Sequence, residues 1–127
     1  MKILVMEKRK ILIVDDDQDI LEVMGIIMES EGYEVDLMSS GQEIFEHIST
    51  FHPDLIILDV MLGGMDGRQI CKCIKNTEDT LHIPIIMMSA SHNIADSVEE
   101  ICKPDEFVAK PFDVLDLIHT VELKLSA

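Results

Sequence analysis

A doubly wound α/β domain, a parallel sheet with helices on both faces, is the fold that three observations in this chain predict. Ile11-Leu12-Ile13-Val14 and Leu55-Ile56-Ile57-Leu58 are apolar runs without polar alternation, the pattern of strands buried on both faces. Each run ends in carboxylates, Asp15-Asp16-Asp17 in the first case and Asp59 in the second. From Lys10 onward apolar runs alternate five times with stretches of helical period, which implies right-handed βαβ crossovers and an open parallel sheet.

Strands are expected at 10–14, 34–37, 54–58, 84–88 and 106–109. After the first, Ile20, Leu21, Val23, Met24, Ile27 and Met28 follow the i, i+3, i+4, i+7 spacing of a helix with one buried face. Ile44, Phe45 and Ile48 mark a second helix starting near Ser40-Gly41, and Ile70, Cys71 and Ile74 a third starting near Asp66-Gly67. A fourth, at 93–102, has a thin stripe of Ile94, Val98 and Ile101 among acidic residues and is stopped by Lys103-Pro104, so weak anchoring is expected of it. Val114, Leu115, Leu117, Ile118, Val121 and Leu125 form a terminal helix that Asp113 is placed to cap. Residues 1–9 read as a frayed leader, although Lys2-Ile3-Leu4-Val5 resembles the first strand and could form an extra edge strand or one given to a second molecule.

At 127 residues the chain fits one domain, 10–127, with a core of ordinary size. Aromatic residues are 4% and methionines nine, so the interior is aliphatic with Met filling irregular gaps. The formal net charge of -15 argues against nucleic-acid binding through clustered Lys and Arg; it fits solubility alone, with part of the acidity on solvated helix faces, or a basic partner surface. No apolar stretch is long enough for a signal peptide or membrane span. Cys71, Cys73 and Cys102 are too few and too irregularly spaced for a disulfide framework; free, inert thiols and a cytoplasmic setting are the expectation.

In a doubly wound sheet ligands bind beyond the carboxyl ends of the strands, where strand order reverses. Asp15 and Asp16 follow the first strand, Asp59 the third, Ser89 the fourth and Lys110 the fifth. Singly, such residues are often helix caps or solvated loop groups; together they form a polar set at one rim. Carboxylates gathered there repel one another unless a cation or proton intervenes.

The motifs Ile11-Leu12-Ile13-Val14-Asp15-Asp16-Asp17, Pro53-Asp54-Leu55-Ile56-Ile57-Leu58-Asp59, Met65-Asp66-Gly67, Pro84-Ile85-Ile86-Met87-Met88-Ser89-Ala90 and Phe107-Val108-Ala109-Lys110-Pro111-Phe112 together resemble the receiver domain of two-component response regulators, over essentially all of 10–125. The resemblance implies a flavodoxin-like strand order of 2-1-3-4-5. It also implies that Asp59 is the phosphoryl acceptor, that Asp15, Asp16, Asp59 and the backbone carbonyl of Met61 hold Mg²⁺ (Mn²⁺ as an alternative), and that Lys110 and Ser89 contact the phosphoryl oxygens. Ser89 and Phe107 would act as the switch that repacks the face made by the fourth helix, fifth strand and terminal helix. The protein would then be a stoichiometric phosphoacceptor rather than an enzyme with turnover, fed by a histidine kinase or histidine phosphotransfer protein. With no output domain after Ala127, its signal is expected to leave through that face to a protein partner, with no direct contact to nucleic acid or membrane. Three features depart from the family pattern: Gly63-Gly64 where Pro is common, Lys103-Pro104 in place of a small-residue turn, and Phe107, which lacks the hydroxyl that a Tyr would offer a partner.

Two other functions are weighed against this one. Asp15-Asp16-Asp17 contains the Asp-x-Asp of haloacid-dehalogenase-type phosphatases, but the chain is small for that fold and Asp59 would have no role. A binding module that keeps the fold without phosphorylation is the second. An EF-hand is excluded, since Ile20 and Ile26 stand where the calcium loop needs Gly and Glu.

Overall fold

The computed structural model describes residues 7–90 and 101–126. The chain runs β1 (Lys10–Val14), α1 (Gln18–Ser30), β2 (Glu34–Met38), α2 (Ile44–Phe51), β3 (Leu55–Asp59), a two-stranded hairpin of β4 (Met61–Leu62) and β5 (Met65–Asp66), α3 (Gly67–Lys75), β6 (Ile85–Ser89), β7 (Glu106–Ala109) and α4 (Val114–Ser126). The main sheet has the order β2-β1-β3-β6-β7, all neighbours parallel. This is the expected 2-1-3-4-5 arrangement once the hairpin is set aside. The helix expected at 93–102 lies outside the described residues except for its last two, of which Ile101 is helical and Cys102 is not, in keeping with a stop before Lys103-Pro104.

Sequence alternation divides the interior into two cores. Leu12, Val14, Ile56, Leu58, Ile85 and Met87 face α2 and α3, while Ile11, Ile13, Leu55, Ile57, Ile86 and Met88 face α1 and α4. Every residue of β3 and β6 is buried, because the central strands carry helices on both sides. The helices are less fully apolar than their periodicity suggests: Val23 is 49% exposed, Phe45 41% and Leu115 75%. These three stand at the margins of their stripes, and the buried seams are carried instead by Leu21, Met24 and Met28, by Ile44 and Ile48, and by Leu117 and Val121.

Helix starts follow local chemistry. The Asp17 carboxylate accepts from the N–H groups of Asp19 and Ile20 at 3.0 and 3.2 Å, the Asp66 carboxylate from that of Arg68 at 2.9 Å, and the Asp113 carboxylate from that of Asp116 at 3.1 Å, each satisfying an orphan donor. α2 begins later than expected, since Glu43 before it is left-handed (φ 62) and makes no side-chain cap.

The amino-terminal rim of the sheet is fastened by side chains. Asp54 accepts from the Lys10 N–H at 2.8 Å, and Asp105 accepts from both the Ile85 N–H at 2.8 Å and the Lys75 ammonium at 2.6 Å. Arg9, the last residue of the expected leader, donates to the Leu125 carbonyl at 2.9 Å; residues 1–6 lie outside the described residues.

The expectation of free thiols is corrected for two of the three cysteines. Cys71 of α3 and Cys102, ahead of β7, form a disulfide, their Cα atoms 6.0 Å apart; Cys73 is free and exposed. Both bonded cysteines belong to the core shared with α2 and α3, and spatial closeness across a separation of 31 residues has no signature in spacing alone. The thiol argument for a cytoplasmic setting loses its support accordingly. No helix among the described residues is long and apolar enough to cross a membrane.

Candidate functional site

Register places the polar residues. Val14 pairs with Leu58, so Asp15 emerges beside Asp59; Asp59 pairs with Met88, so Ser89 lies one residue beyond; Ser89 pairs with Ala109, so Lys110 follows at the same rim. Backbone bonds extend this alignment past the strands: Asp15 N–H to Met38 O at 3.1 Å, Val60 N–H to Met88 O at 2.9 Å and Lys110 N–H to Ser89 O at 2.8 Å.

Asp15 and Asp59 are 1% and 5% exposed, and Ser89 2%. The Lys110 ammonium donates to Asp15 Oδ2 at 2.7 Å and to Asp59 Oδ2 at 3.2 Å. The second Asp15 oxygen accepts from the Asp17 N–H at 2.9 Å, and Asp59 Oδ1 from the Met61 N–H at 3.4 Å. Oxygens of Asp15, Asp16 and Asp59 all lie within 4.8 Å of one another, with Asp16 exposed at the mouth.

Burial and the neighbouring Asp15 charge push the Asp59 carboxyl up to about 6, against the opposing pull of Lys110 and the Met61 N–H. Burial disfavours the Lys110 ammonium, yet its hydrogen bond to Asp15 and its attraction to Asp59 outweigh that and hold it above the usual lysine range. One ammonium thus serves two carboxylates, and the pocket carries an excess of negative charge that a hard cation would relieve. An all-oxygen set of carboxylates beside an exposed mouth suits Mg²⁺, which prefers oxygen ligands and retains waters.

Phe107 does not enter the pocket. It pairs with Met87 in the sheet and packs, half-buried, on the core shared with α2 and α3, on the strand that leads to Lys110. The β4–β5 hairpin was not foreseen: two-residue strands give no periodic signal. Its turn uses Gly63 at φ 62, a conformation that glycine reaches without strain. Gly67 has a role that sequence alone did not show. A side chain there would collide with the Asp59 carbonyl oxygen, and its N–H donates to Val60 O at 2.7 Å, folding the hairpin closely under the acidic pocket. The Met65-Asp66-Gly67 motif was the available signal.

Residues 11–122 match the family model of the response regulator receiver domain. The chain belongs to the response regulator receiver family. This receiver domain is 36% identical over 115 residues to the heme response regulator HssR of Staphylococcus saprophyticus, covering 90% of the chain and 50% of the relative. It is 30% identical over 119 residues to the DNA-binding response regulator MtrA of Mycolicibacterium smegmatis, covering 93% and 51%. The receiver thus spans about half the length of these curated relatives. Among solved structures, a putative response regulator from Chloroflexus aurantiacus superposes with a TM-score of 0.88 at 32% identity, covering 95% of this receiver and all of that chain. The signal receiver domain of a histidine kinase from Syntrophus aciditrophicus gives 0.86 at 33%, covering 93% and 90%. The fold and the place in two-component phosphorelay signalling follow from these matches.

Proposed function

We propose that this receiver accepts a phosphoryl group on Asp59 from a histidine kinase or histidine phosphotransfer protein and signals by repacking the surface around Phe107. The observation that carries this reading is the shared contact of the Lys110 ammonium with Asp15 and Asp59 in a buried pocket at the sheet rim.

An Asp59 carboxylate oxygen attacks phosphorus, the bond from phosphorus to the donor imidazole nitrogen breaks, and the imidazole leaves as it regains a proton. Transfer of this kind depends on positioning and charge neutralisation. Asp15, Asp16, Asp59 and the Met61 carbonyl would hold Mg²⁺, whose charge lets a dianionic group approach the acidic pocket. Lys110 supplies a fixed positive charge, exchanging its contact with Asp59 Oδ2 for one with a new phosphoryl oxygen. Ser89, at the carboxyl end of β6, supplies a hydroxyl donor to another.

The product places about -1.5 to -2 charges beside Ser89. Inward movement of that side chain vacates space on the side of the sheet where Phe107 packs, so the two residues exchange one arrangement for another. A difference of a few kcal/mol between the arrangements is enough to alter partner affinity. The readout partner meets the face that includes β7 and α4. The protein acts stoichiometrically, in the cytoplasm, without turnover as an enzyme.

Incubation with acetyl phosphate and Mg²⁺, followed by intact mass measurement of the parent, Asp59→Asn and Asp15→Asn, tests the reading. A phosphoryl adduct that disappears in Asp59→Asn supports it. An adduct retained in Asp59→Asn but lost in Asp15→Asn would favour the phosphatase-type nucleophile, and no adduct in any of the three would favour a binding-only module.

A further inference from the structure

We propose that Cys71 and Cys102 form a reversible thiol–disulfide couple that sets how readily the face around Phe107 rearranges. The couple is a property of the chain in its own right; only its effect on signalling rests on the phosphoacceptor reading.

Position carries the argument. The covalent loop from Cys71 to Cys102 encloses β6 and therefore Ser89, and its exit lies just ahead of β7, which bears Phe107. One switch residue is inside the loop and the other immediately beyond it. Phe107 packs against the same core cluster that contains both cysteines. The disulfide therefore anchors to α3 the connection that leads into β7.

A second fastening lies one helical turn further along α3. Lys75 donates to Asp105 at 2.6 Å and to the Ile83 carbonyl at 3.0 Å, and Asp105 also caps the start of β6. With the disulfide opened, this ionic clasp still holds the connection near α3. Reduction therefore loosens the segment without detaching it, which is what a reversible device requires and a purely structural staple does not. A link compatible with one arrangement more than another biases the equilibrium toward the first. Here the oxidised link favours the arrangement in which Lys110 bonds Asp15 and Asp59.

The chemistry is exchange with a low-molecular-weight disulfide of the glutathione type. One protein thiolate attacks a sulfur of the small disulfide and expels one small thiol; the second protein thiolate then attacks the mixed disulfide and expels the other. Two protein thiols are oxidised to one disulfide, one small disulfide is reduced to two thiols, and the two protons pass to the expelled thiolates. Cys71 is fully buried and Cys102 5% exposed, so exchange proceeds through local opening at Cys102 and the exposed Lys103 beside it.

The test uses the full chain equilibrated across glutathione buffers from oxidising to reducing, quenched and alkylated, with mass readout. The expected result is a transition from a form in which Cys71 and Cys102 resist alkylation and carry no glutathione, Cys73 being alkylated or glutathionylated, to one in which all three are alkylated. A disulfide that persists in the most reducing buffer, or three thiols in the most oxidising one, would overturn the proposal. Amide hydrogen exchange over 101–109, without any phosphodonor, should be several-fold faster in the reduced form; equal rates would also overturn it. Cys73→Ser should follow the parent in both buffers, and Cys71→Ala/Cys102→Ala should match the reduced form in both. If the double variant fails to unfold cooperatively, Cys73→Ser in the two buffers carries the comparison. With acetyl phosphate and Mg²⁺ added, the reduced form should show a several-fold larger exchange response at 101–109, and an equal response would refute the coupling. Absence of any phosphoryl adduct in either form would instead count against Asp59 as acceptor, leaving the couple to be judged on the unphosphorylated exchange rates.

Discussion

The Lys110 ammonium lies 2.7 Å from Asp15 and 3.2 Å from Asp59, so one cation partly neutralises two buried carboxylates that stand side by side on neighbouring strands. Removing it by Lys110→Met leaves the pair to repel one another. We expect a loss of about 3–5 kcal/mol in urea unfolding of the metal-free protein at pH 8, the range for stranding a buried charge. The loss should shrink at pH 5, where Asp59 can take up a proton, and Mg²⁺ should restore part of it.

Asp59 gives a pH dependence whose sign is fixed by its raised value of about 6 against 3.8 when free. Between these values the folded state binds more protons than the unfolded state, so this group lowers stability as pH rises through the window. Its ionisation penalty is absent below about pH 4 and complete above about pH 7, amounting to roughly 3 kcal/mol at 1.36 kcal/mol per unit. Asp59→Asn should therefore stabilise the metal-free protein at pH 7.5 and do little at pH 4, as read by paired denaturant titrations. An equal effect at both values would contradict burial as the cause.

Gly67→Ala should cost about 1–3 kcal/mol, the range for overpacking, because the added methyl meets the Asp59 carbonyl oxygen, a backbone atom with little room to move. Gly64→Ala is the control. A side chain at Gly64 meets nothing nearby, and thermal unfolding should distinguish the two variants clearly.

Ser89→Ala should leave phosphoryl uptake on Asp59 measurable by mass while reducing the accompanying change at Phe107, read as the shift of its ring resonances on addition of beryllofluoride and Mg²⁺. A Phe107 response of parental size in Ser89→Ala would remove that hydroxyl from the switch.

Most of the sheet was legible because β1, β3 and β6 are buried on both faces, which leaves uninterrupted Ile, Leu, Val and Met runs that few other structures tolerate. β7 was readable despite its half-exposed residues because a turn with Pro precedes it and Lys110-Pro111 follows. Site placement came from the strand ends: parallel register delivers Asp15, Asp59, Ser89 and Lys110 to one rim without any tertiary detail. What escaped depends on distance between segments remote in sequence. The Cys71–Cys102 bond needs the packing of α3 beside the connection to β7, and the closeness of Gly67 to Asp59 needs the hairpin between them. The exposure of Val23, Phe45 and Leu115 escaped because a spacing rule assigns a stripe but not its edges.

The bonds made by Asp54 and Asp105 secure the sheet at the end opposite the acidic pocket. A five-residue strand separates the two ends by about 16 Å, roughly twice the distance over which exposed charges act through physiological salt, about 8 Å. Charge reversals at the far end can therefore raise or lower the melting temperature with little effect on cation affinity and proton uptake in the pocket, and the molecule's durability and its chemistry become largely separate quantities to adjust.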